Sequence, residues 1–450
     1  MKRIVLAVIV SILSFLMVAG TLSLSAAADS WVSKAGMTRG RSGLGVAVVD
    51  GKIYAVGGAS ANGFSSLNEQ YDPMIGTWTL KAPMPTSRSA FGIAVFQDKI
   101  FCIGGYAMNA NKQGGATGVN EAYDVTTDTW ETKAPMPTPQ LNVRANVVDG
   151  KIYLIGGGTN GTINQVYDPT TDLWTTKASV PTAVSSYASA VIGNKIYIFT
   201  SNLTQIYNAE NDSWSLGAPA PSPVILATAG ATTGMFAPER IYVFGVDAQL
   251  PFWQLTTQGY ITQSYDPQTD SWTACASMPT GRYDVGVAVA DDLLYVIGGF
   301  TTSFSSEGFN PNPTYIYSTL NQQYIPIGYG TLPTTISLIS PENTTYGSGN
   351  VSLAFTTNKP FTWMGYSLDG QEKVIVTGNT TLSELPSGSH NITVYAKDSF
   401  GNLVGSDTIS FSIAKSEVSP TTIVAIGSGA LVAVTFVGAL VYFKKRKSHS

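Results

Sequence analysis

Three observations predict an all-β protein, with a repeated four-stranded unit, then a small β-sandwich and one C-terminal transmembrane helix. A β-branched and aromatic run ending in a glycine pair returns at a spacing of roughly 45 to 53 residues, which is typical of stacked supersecondary units. The repeat stops near residue 330, where short alternating strands replace it. Residues 421–443 carry no charge and are long enough to cross a bilayer once.

The glycine pair marks the end of the second strand of each repeat. Glycine allows a neighbouring backbone or ring to approach closely where the chain leaves the sheet. A first strand precedes the second through a two-residue turn such as Asp50-Gly51, which requires positive φ. The pairs are Gly57-Gly58, Gly104-Gly105, Gly156-Gly157 and Gly298-Gly299, with weaker copies at Thr200-Ser201 and Gly245-Val246.

Two aromatic positions mark the third and fourth strands. A tyrosine followed by Asp or Asn ends the third strand, at Tyr71, Tyr123, Tyr167, Tyr207 and Tyr265. A single tryptophan lies in the fourth strand, at Trp31, Trp78, Trp130, Trp174, Trp214 and Trp272. Large rings with one polar atom are favourable in a core that offers that atom a hydrogen bond, so we expect them to pack between units.

Four antiparallel strands with this Gly-Gly, Tyr-Asp and Trp spacing resemble the kelch repeat. The resemblance covers about two thirds of the chain and implies a β-propeller, in which four-stranded sheets surround a central channel. Trp31 precedes the first glycine pair, whereas no tryptophan strand follows the tyrosine-containing segment 321–326. We therefore expect residues 29–330 to form a six-bladed propeller whose last blade is closed by the N-terminal strand, because closure removes free sheet edges.

Long loops after the second strand of repeats two, five and six are the candidate binding surface. Binding residues are often located on loops that a rigid scaffold supports. The aromatic candidates are Tyr106, Phe252, Trp253, Tyr260, Phe304, Phe309 and Tyr315. Arg144 is a further candidate, since it departs from the repeat where the second copy has Gly92. The alternative is that these rings fold back and pack under their own loops.

Residues 333–415 are expected to form the small β-sandwich. The stretch 385–398 is similar to the late strands of fibronectin-III or immunoglobulin-like domains, and no cysteine pair is available for an antibody-type bridge. A spacer role is the favoured interpretation.

Both ends of the chain predict export and anchoring. Residues 1–28 have the positive start, apolar middle and small terminal residues of a signal peptide. A basic stretch follows the predicted span 421–443, so residues 444–450 are expected in the cytoplasm and the N-terminus outside, in a single-pass protein of the cell membrane. Sequons for N-glycosylation occur at Asn160, Asn202, Asn211, Asn343, Asn350, Asn379 and Asn391.

Composition excludes several classes of function. The net charge is −4 and no basic patch is present, which disfavours nucleic-acid binding. His390 and His449 are the two histidines, too few for the copper site of the radical oxidase that shares the kelch fold. Cys102 and Cys275 fall far apart on the expected ring, so we predict no disulfide between them. No metal or cofactor is predicted.

We therefore predict a membrane-anchored binding protein, not an enzyme, whose propeller meets a surface protein or glycan outside the cell. The alternative is a carbohydrate-modifying enzyme similar to kelch-type sialic-acid mutarotases, which requires an acid–base pair and a cation for a carboxylate. Arg41, Arg88 and Arg282 recur at one slot, which indicates a structural role. Perturbed acidic groups at the channel mouth would favour the enzyme.

Overall fold

The computed structural model describes residues 29–109, 111–158, 161–247, 260–303 and 314–415. Within them the chain divides into two compact units, the first ending at Leu332 and the second beginning at Pro333. The predicted signal peptide 1–28, the predicted span 421–443 and the predicted tail 444–450 lie outside the described residues.

The first unit contains six four-stranded antiparallel sheets in its described part, one for each repeat. From the first to the fourth strand they are Gly45–Val49, Lys52–Val56, Asn68–Asp72 and Thr77–Lys81 in blade one; Gly92–Phe96, Lys99–Ile103, Asn120–Asp124 and Thr129–Lys133 in blade two; Arg144–Val148, Lys151–Ile155, Asn164–Asp168 and Leu173–Thr176 in blade three; Ala188–Ile192, Lys195–Phe199, Thr204–Asn208 and Ser213–Gly217 in blade four; Val224–Ala231, Ile241–Asp247, Tyr260–Asp266 and Ser271–Cys275 in blade five; and Gly286–Ala290, Leu293–Ile297, Asn321–Ile325 and Ser30–Lys34 in blade six. Shorter strands decorate the loops, at Ala59–Ser60, Gly63–Phe64, Arg88–Ser89, Tyr106–Met108, Gly114–Ala116, Phe300–Ser303 and Thr314–Tyr317.

The first strands of the six blades form a closed ring. Each contacts the first strand of the blade before and after it, and that of blade six contacts that of blade one. The fourth strand of blade six is the N-terminal strand, in which Trp31 lies opposite Tyr324. The alignment of Trp31 with the other tryptophans predicts this pairing. The sheets therefore surround a channel, as in a propeller.

Apolar side chains pack between neighbouring blades. Between blades six and one, for example, Val46 and Ile53 pack with Ala288 and Tyr295. The repeated tyrosines are buried: Tyr71, Tyr123, Tyr167, Tyr207, Tyr265 and Tyr324. The tryptophan of the same blade packs against each tyrosine, at a ring-centroid distance of 5.1 Å for Tyr71 and Trp78. These rings belong to the core, as the sequence pattern indicates.

A repeated polar contact joins each blade to the one before it. In blade two, Asp128 Oδ1 accepts hydrogen bonds from the Tyr123 hydroxyl at 2.5 Å and from the Ala82 amide of blade one at 2.8 Å. The Trp130 indole donates to the Ala82 carbonyl at 2.8 Å. The same set recurs around Asp172, Asp212, Asp270 and Asp29. In blade one Gly76 occupies the position of the aspartate, although Trp78 still donates to the Ala35 carbonyl.

The glycine pair permits the close approach that the sequence predicts. Gly58 has φ of +100°, and a Cβ atom there would lie 2.7 Å from the Ser42 carbonyl oxygen. The turn at Asp50-Gly51 has positive φ at both residues, 49° and 69°. A side chain at Gly58 would therefore be strained.

The second unit consists of two antiparallel-rich sheets with a common core. The three-stranded sheet contains Ile336–Ser340, Val351–Thr357 and Thr380–Leu382. The six-stranded sheet contains Thr345–Tyr346, Ile409–Ile413, Gly388–Asp398, Phe361–Leu368, Val374–Ile375 and Leu403–Gly405. Leu353 of the first sheet packs in one cluster with Val394 and Phe411 of the second. Its likeness to immunoglobulin or fibronectin-III domains stays a prediction.

The fold class predicted from sequence needs one correction. It included a transmembrane helix, but the described residues form strands and turns, and none of them belongs to a helix long and apolar enough to span a membrane. The finding supports an all-strand, propeller-like fold. The prediction rested on the length and low polarity of residues 421–443, and neither property shows which backbone hydrogen bonds form.

Candidate binding surface of the propeller

Two features share the face of the propeller that carries the loops after the second strands. One is a groove between blades one and six, and the other is the mouth of the central channel. The groove and the channel mouth lie on one face because the connection from the fourth strand of one blade to the first strand of the next emerges there as well.

The groove encloses about 620 Å³. One wall is the loop after the second strand of blade one, and the other is the hairpin formed by Phe300–Ser303 and Thr314–Tyr317 of blade six. Its principal lining side chains are Arg39, Phe64, Leu67, Tyr315, Ile316 and Tyr317. The side chains of Tyr315 and Ile316 are 52% and 53% exposed. Two large apolar side chains half open to solvent are available for contact with a partner.

Backbone contacts hold the hairpin wall in place. The Met37 amide donates to the Thr319 carbonyl at 2.8 Å, and the Ser318 amide donates to the Gly299 carbonyl at 2.8 Å. Any side chain at Gly40 would collide with the Tyr317 carbonyl group. The groove therefore depends on close packing between the start of the propeller and its sixth blade.

Arg41 lies beneath the groove and is structural. Its guanidinium is buried, pairs with Glu69 at 2.6 Å, and donates to the Gly57 carbonyl at 2.7 Å. Burial lowers the pKa of Arg41, and the Glu69 carboxylate opposes that change. Arg88 pairs with Glu121 in the same way. These contacts agree with the structural role that the repeated position of Arg41 and Arg88 predicts.

Arg39 is the cation that the groove offers to solvent. Its side chain is exposed, and it forms no ion pair with the described residues. Arg41 is already neutralised by Glu69, and no carboxylate lines the groove in the described part of the chain. The groove therefore combines aromatic and aliphatic side chains with one available positive charge. Sequence reasoning missed Arg39, which no repeat pattern distinguishes.

Apart from Tyr315, which lines the groove, the predicted aromatic candidates divide into three groups. Tyr106 is half-buried, and its ring packs 5.5 Å from Phe64, so it borders the groove. Tyr260 is 6% exposed and packs 5.9 Å from Tyr283, so the prediction of an exposed ring is wrong there. It lies at the start of the third strand of blade five, not in the loop before it. Phe252, Trp253, Phe304 and Phe309 lie outside the described residues.

Arg144 lines the channel mouth, and its charge acts on Asp284, an aspartate that the sequence pattern did not single out. The mouth encloses about 120 Å³ and is lined by the first strands of all six blades. Arg144 Nη2 donates to the Ala227 carbonyl of blade five at 3.1 Å, and Nη1 has no hydrogen bond to another described residue. Asp284 precedes the first strand of blade six. Burial raises the pKa of Asp284, and the Arg144 charge partly opposes this.

Asp284 could have been found from the repeat itself. Gly43 and Ala90 occupy its position in blades one and two, and all three residues have positive φ, at 58°, 54° and 52° respectively. Asn142 and Leu226 hold the same position in blades three and five, also with positive φ, so Asp284 departs from the repeat by its charge. That departure was the available signal.

Metal and thiol chemistry find little support in the described residues. No group of three or more His, Cys, Asp or Glu side chains there could hold a metal ion. Cys102 and Cys275 are free thiols, and burial raises the pKa of Cys102 to about 12. A thiol so strongly protonated is a poor nucleophile at neutral pH.

The described sequons all present exposed asparagine residues. They are Asn202, Asn211, Asn343, Asn350, Asn379 and Asn391. Asn160 lies outside the described residues. Glycosylation at these sites stays a prediction.

The repeated motif and the closed ring of strands define a protein with kelch motifs and a propeller-like fold. The family model described as "Kelch motif" matches residues 40–85 and 87–137. Kelch-like protein 15 of Danio rerio is 26% identical over 190 residues, which are 40% of this chain and 25% of that protein. Kelch-like protein terF of Aspergillus terreus is 35% identical over 104 residues, covering 22% of this chain and 21% of that protein. The matches thus span a quarter or less of these relatives.

A solved structure extends the likeness over the propeller. The structure of YjhT aligns with 62% of this chain and 99% of that one, at a TM-score of 0.51 and 14% sequence identity. At that identity the likeness concerns the fold alone.

Proposed function

We propose that the propeller is a protein-binding module whose groove receives an acidic segment of a partner protein. The groove volume of about 620 Å³ is the observation that carries the proposal. It lies within the range of about 300 to 1,000 Å³ that is usual for small-molecule and cofactor sites, which leaves room for a few side chains of a partner segment. The kelch-like relatives support a binding role for such repeats, and residues 1–28 favour a partner met outside the cell.

The side chains of the groove support both affinity and specificity. Aromatic residues concentrate binding energy in protein interfaces, so Tyr315 and Phe64 are the expected anchors. Arg39 can form a bidentate pair with a carboxylate, and it has no such partner among the described residues. An acidic segment with one apolar side chain matches this arrangement of charge and rings.

A peptide library displayed on phage tests the proposal with the full chain as bait. Wild-type protein should enrich acidic peptides containing an apolar residue, and Arg39→Glu should abolish that enrichment. Tyr315→Ala should weaken it about tenfold or more, as expected for loss of an aromatic anchor. Lys195→Glu is the matched control, since Lys195 is an exposed cation at the opposite ends of the strands. Equal enrichment by Arg39→Glu and wild type would contradict the groove assignment, and selective binding of glycans on an array would replace the protein partner.

A carbohydrate-modifying enzyme is the second candidate. It is favoured by Arg144, which lines the channel mouth, and by Asp284, whose pKa is raised by burial and on which the Arg144 charge acts. The mouth volume of about 120 Å³ is below the usual range for ligand sites, which begins at about 300 Å³, and that weighs against it. Exchange of the α and β anomers of N-acetylneuraminic acid, followed by NMR, tests this candidate. Acceleration by wild type that Asp284→Asn removes would support the enzyme, and an unaccelerated rate would exclude it.

A further inference from the structure

His390, in the second unit, has both ring nitrogens directed at oxygen atoms that can only accept hydrogen bonds. Nδ1 lies 2.8 Å from Asp369 Oδ2, and Nε2 lies 2.8 Å from the Pro386 carbonyl oxygen. A neutral imidazole carries one N–H group, so it can satisfy one of these acceptors and must leave the other facing a lone pair. The protonated ring satisfies both. The hydrogen-bond geometry therefore favours the imidazolium over the neutral ring.

The surroundings of His390 hold the ring in this arrangement. The residue is 5% exposed, and its ring lies 5.5 Å from Phe411 of the neighbouring strand. Asp369 is fixed in turn, because its Oδ1 accepts from the Asn391 amide at 2.7 Å. Each element packed on His390 thus contributes one group: the carboxylate of Asp369, the carbonyl of Pro386 and the ring of Phe411. Asp369 is the one charged group that acts on His390 among the described residues.

The electrostatics agree with the geometry. The bond to the Pro386 carbonyl, followed by the bond to Asp369, raises the pKa of His390 above its ordinary value. Burial would by itself raise the pKa of Asp369, but the bonds from His390 and the Asn391 amide hold it below its ordinary value.

We propose that His390 is a pH-sensitive latch that ties the segment 383–387 to the strand Gly388–Asp398. When the ring loses a proton to solvent, Nδ1 keeps its hydrogen toward the Asp369 carboxylate, and Nε2 is left with a lone pair facing Pro386. The tie to Pro386 is then lost. The remaining ties of this segment run to the neighbouring loop, from the Leu385 amide to the Gly349 carbonyl at 2.9 Å and from the Glu384 amide to Asn350 at 3.1 Å. The segment loosens without unfolding of the unit.

The sign of the pH dependence follows from the raised pKa. The folded unit binds the proton more tightly than an unfolded chain does, so the stabilisation is fully present below about pH 6.5, the ordinary histidine value. It is lost as the pH rises through the raised pKa of His390. The latch is therefore closed in mildly acidic solution and opens toward alkaline pH.

The full chain offers a direct measurement, because it contains two histidines. NMR of the histidine ring protons should show one titration above pH 6.5 that disappears in His390→Gln. Hydrogen exchange at the Glu384 and Leu385 amides, corrected for intrinsic rates, should lose about tenfold protection above that midpoint, as expected for one bond from a charged donor. Amides of Lys151–Ile155 in the propeller serve as the internal control and should show no such loss.

Two variants separate a latch from a merely structural histidine. Asp369→Asn keeps an acceptor but removes the charge, so the midpoint should move to lower pH while protection at acidic pH is retained. His390→Gln should make exchange at Glu384 and Leu385 independent of pH. Unchanged protection across the titration in wild type, or a pH-dependent loss that persists in His390→Gln, would overturn the latch.

Discussion

The Asp29 carboxylate accepts a hydrogen bond from the Tyr324 hydroxyl at 2.7 Å, although the two residues are 295 positions apart in the chain. The same Oδ1 atom accepts from the Ala276 amide of blade five at 2.7 Å. One side chain near the start of the described chain thus binds the third strand of blade six and the preceding blade. In blades two to five the same aspartate contact joins consecutive segments of the chain. In blade six it joins the N-terminal strand to blades five and six, and so closes the ring.

Replacement of Asp29 by glycine should therefore cost more stability than the same change at Asp212. Both carboxylates accept from a tyrosine and from an alanine amide of the previous blade, and both residues have positive φ, so glycine avoids backbone strain in either case. We expect Asp212→Gly to lower the free energy of unfolding by about 1 to 3 kcal/mol, the usual cost of a lost charged acceptor. Asp29→Gly should cost more, because the N-terminal strand can then detach and open the ring.

Urea unfolding of the two variants provides the comparison. Equal losses would mean that the N-terminal strand stays in the sheet without its aspartate, and that closure rests on the backbone pairing alone.

The reverse change at Gly76 should stabilise the propeller. Gly76 has φ of +71° and occupies the slot where the other blades have aspartate. An aspartate there can accept from the Tyr71 hydroxyl and the Ala35 amide, at the small cost that Asp pays for positive φ. We expect Gly76→Asp to raise the free energy of unfolding by about 1 kcal/mol. Gly76→Ala is the control, since it pays the strain without the bonds and should be destabilising. A neutral or negative effect of Gly76→Asp would show that the contact contributes nothing.

The buried Arg282 of blade six lacks the carboxylate that its equivalents have. Arg41 and Arg88 pair with Glu69 and Glu121, each at 2.6 Å, whereas Arg282 Nη2 donates to the amide oxygen of Gln322 at 2.8 Å. Burial lowers the pKa of Arg282 to about 10. An unpaired buried charge is destabilising by about 3 to 5 kcal/mol when a partner is removed.

Gln322→Glu should therefore stabilise the chain. The gain should be about 1 to 3 kcal/mol, less than the full cost of an unpaired charge, because Gln322 already accepts a hydrogen bond from Arg282. Glu69→Gln in blade one is the opposite change and should be destabilising. In wild type the buried Arg282 charge is destabilising, and this penalty is relieved as the pH rises from the lowered pKa of Arg282, about 10, toward the ordinary value of 12.5. This gain in stability with rising pH should shrink in Gln322→Glu, because the new carboxylate favours the charged guanidinium. If calorimetry finds Gln322→Glu less stable than wild type, the desolvation of the new carboxylate exceeds its pairing energy.

Truncation to alanine should hardly change stability at Tyr315 and should lower it strongly at Tyr260. Tyr315 is 52% exposed in the groove, so Tyr315→Ala should change the free energy of unfolding by less than about 0.5 kcal/mol. Tyr260 is 6% exposed in the core, so Tyr260→Ala should cost about 3 kcal/mol or more. Thermal unfolding distinguishes the two. A large loss for Tyr315→Ala would mean that this ring supports its hairpin and is not free to bind.

The repeat made much of the propeller predictable because it is a local signal. Apolar alternation and the turn at Asp50-Gly51 specify strands and hairpins from neighbouring residues, and the glycine pair specifies where the chain leaves the sheet. Tyr71 and Trp78 could be placed in the core because the same ring pair recurs in each repeat. Even the pairing of Trp31 with Tyr324 follows from counting repeats, since one fourth strand is missing at the end of the series.

The binding surface was less accessible to the same reasoning. Arg39 and Tyr315 are 276 positions apart, as the numbering shows, and they line one groove only because the ring closes blade six on blade one. Tyr260 was expected in a loop, but blade five has a seven-residue third strand, which carries the ring into the core. The length of that strand depends on pairing with Ile241–Asp247, a contact that composition does not encode.

The sequence by itself determined the number of repeats, the four-strand order within each and the identity of the aromatic core, because these depend on residues close together in the chain. Only the tertiary structure decided which charges are matched and which are available: Glu69 neutralises Arg41, Arg39 stays open to solvent, and Asp284 lies near Arg144. The physical reason is that charge pairing and burial depend on distances between elements that chain closure brings together. The same holds for His390, whose two acceptors become apparent when the Asp369 turn and Pro386 pack around it.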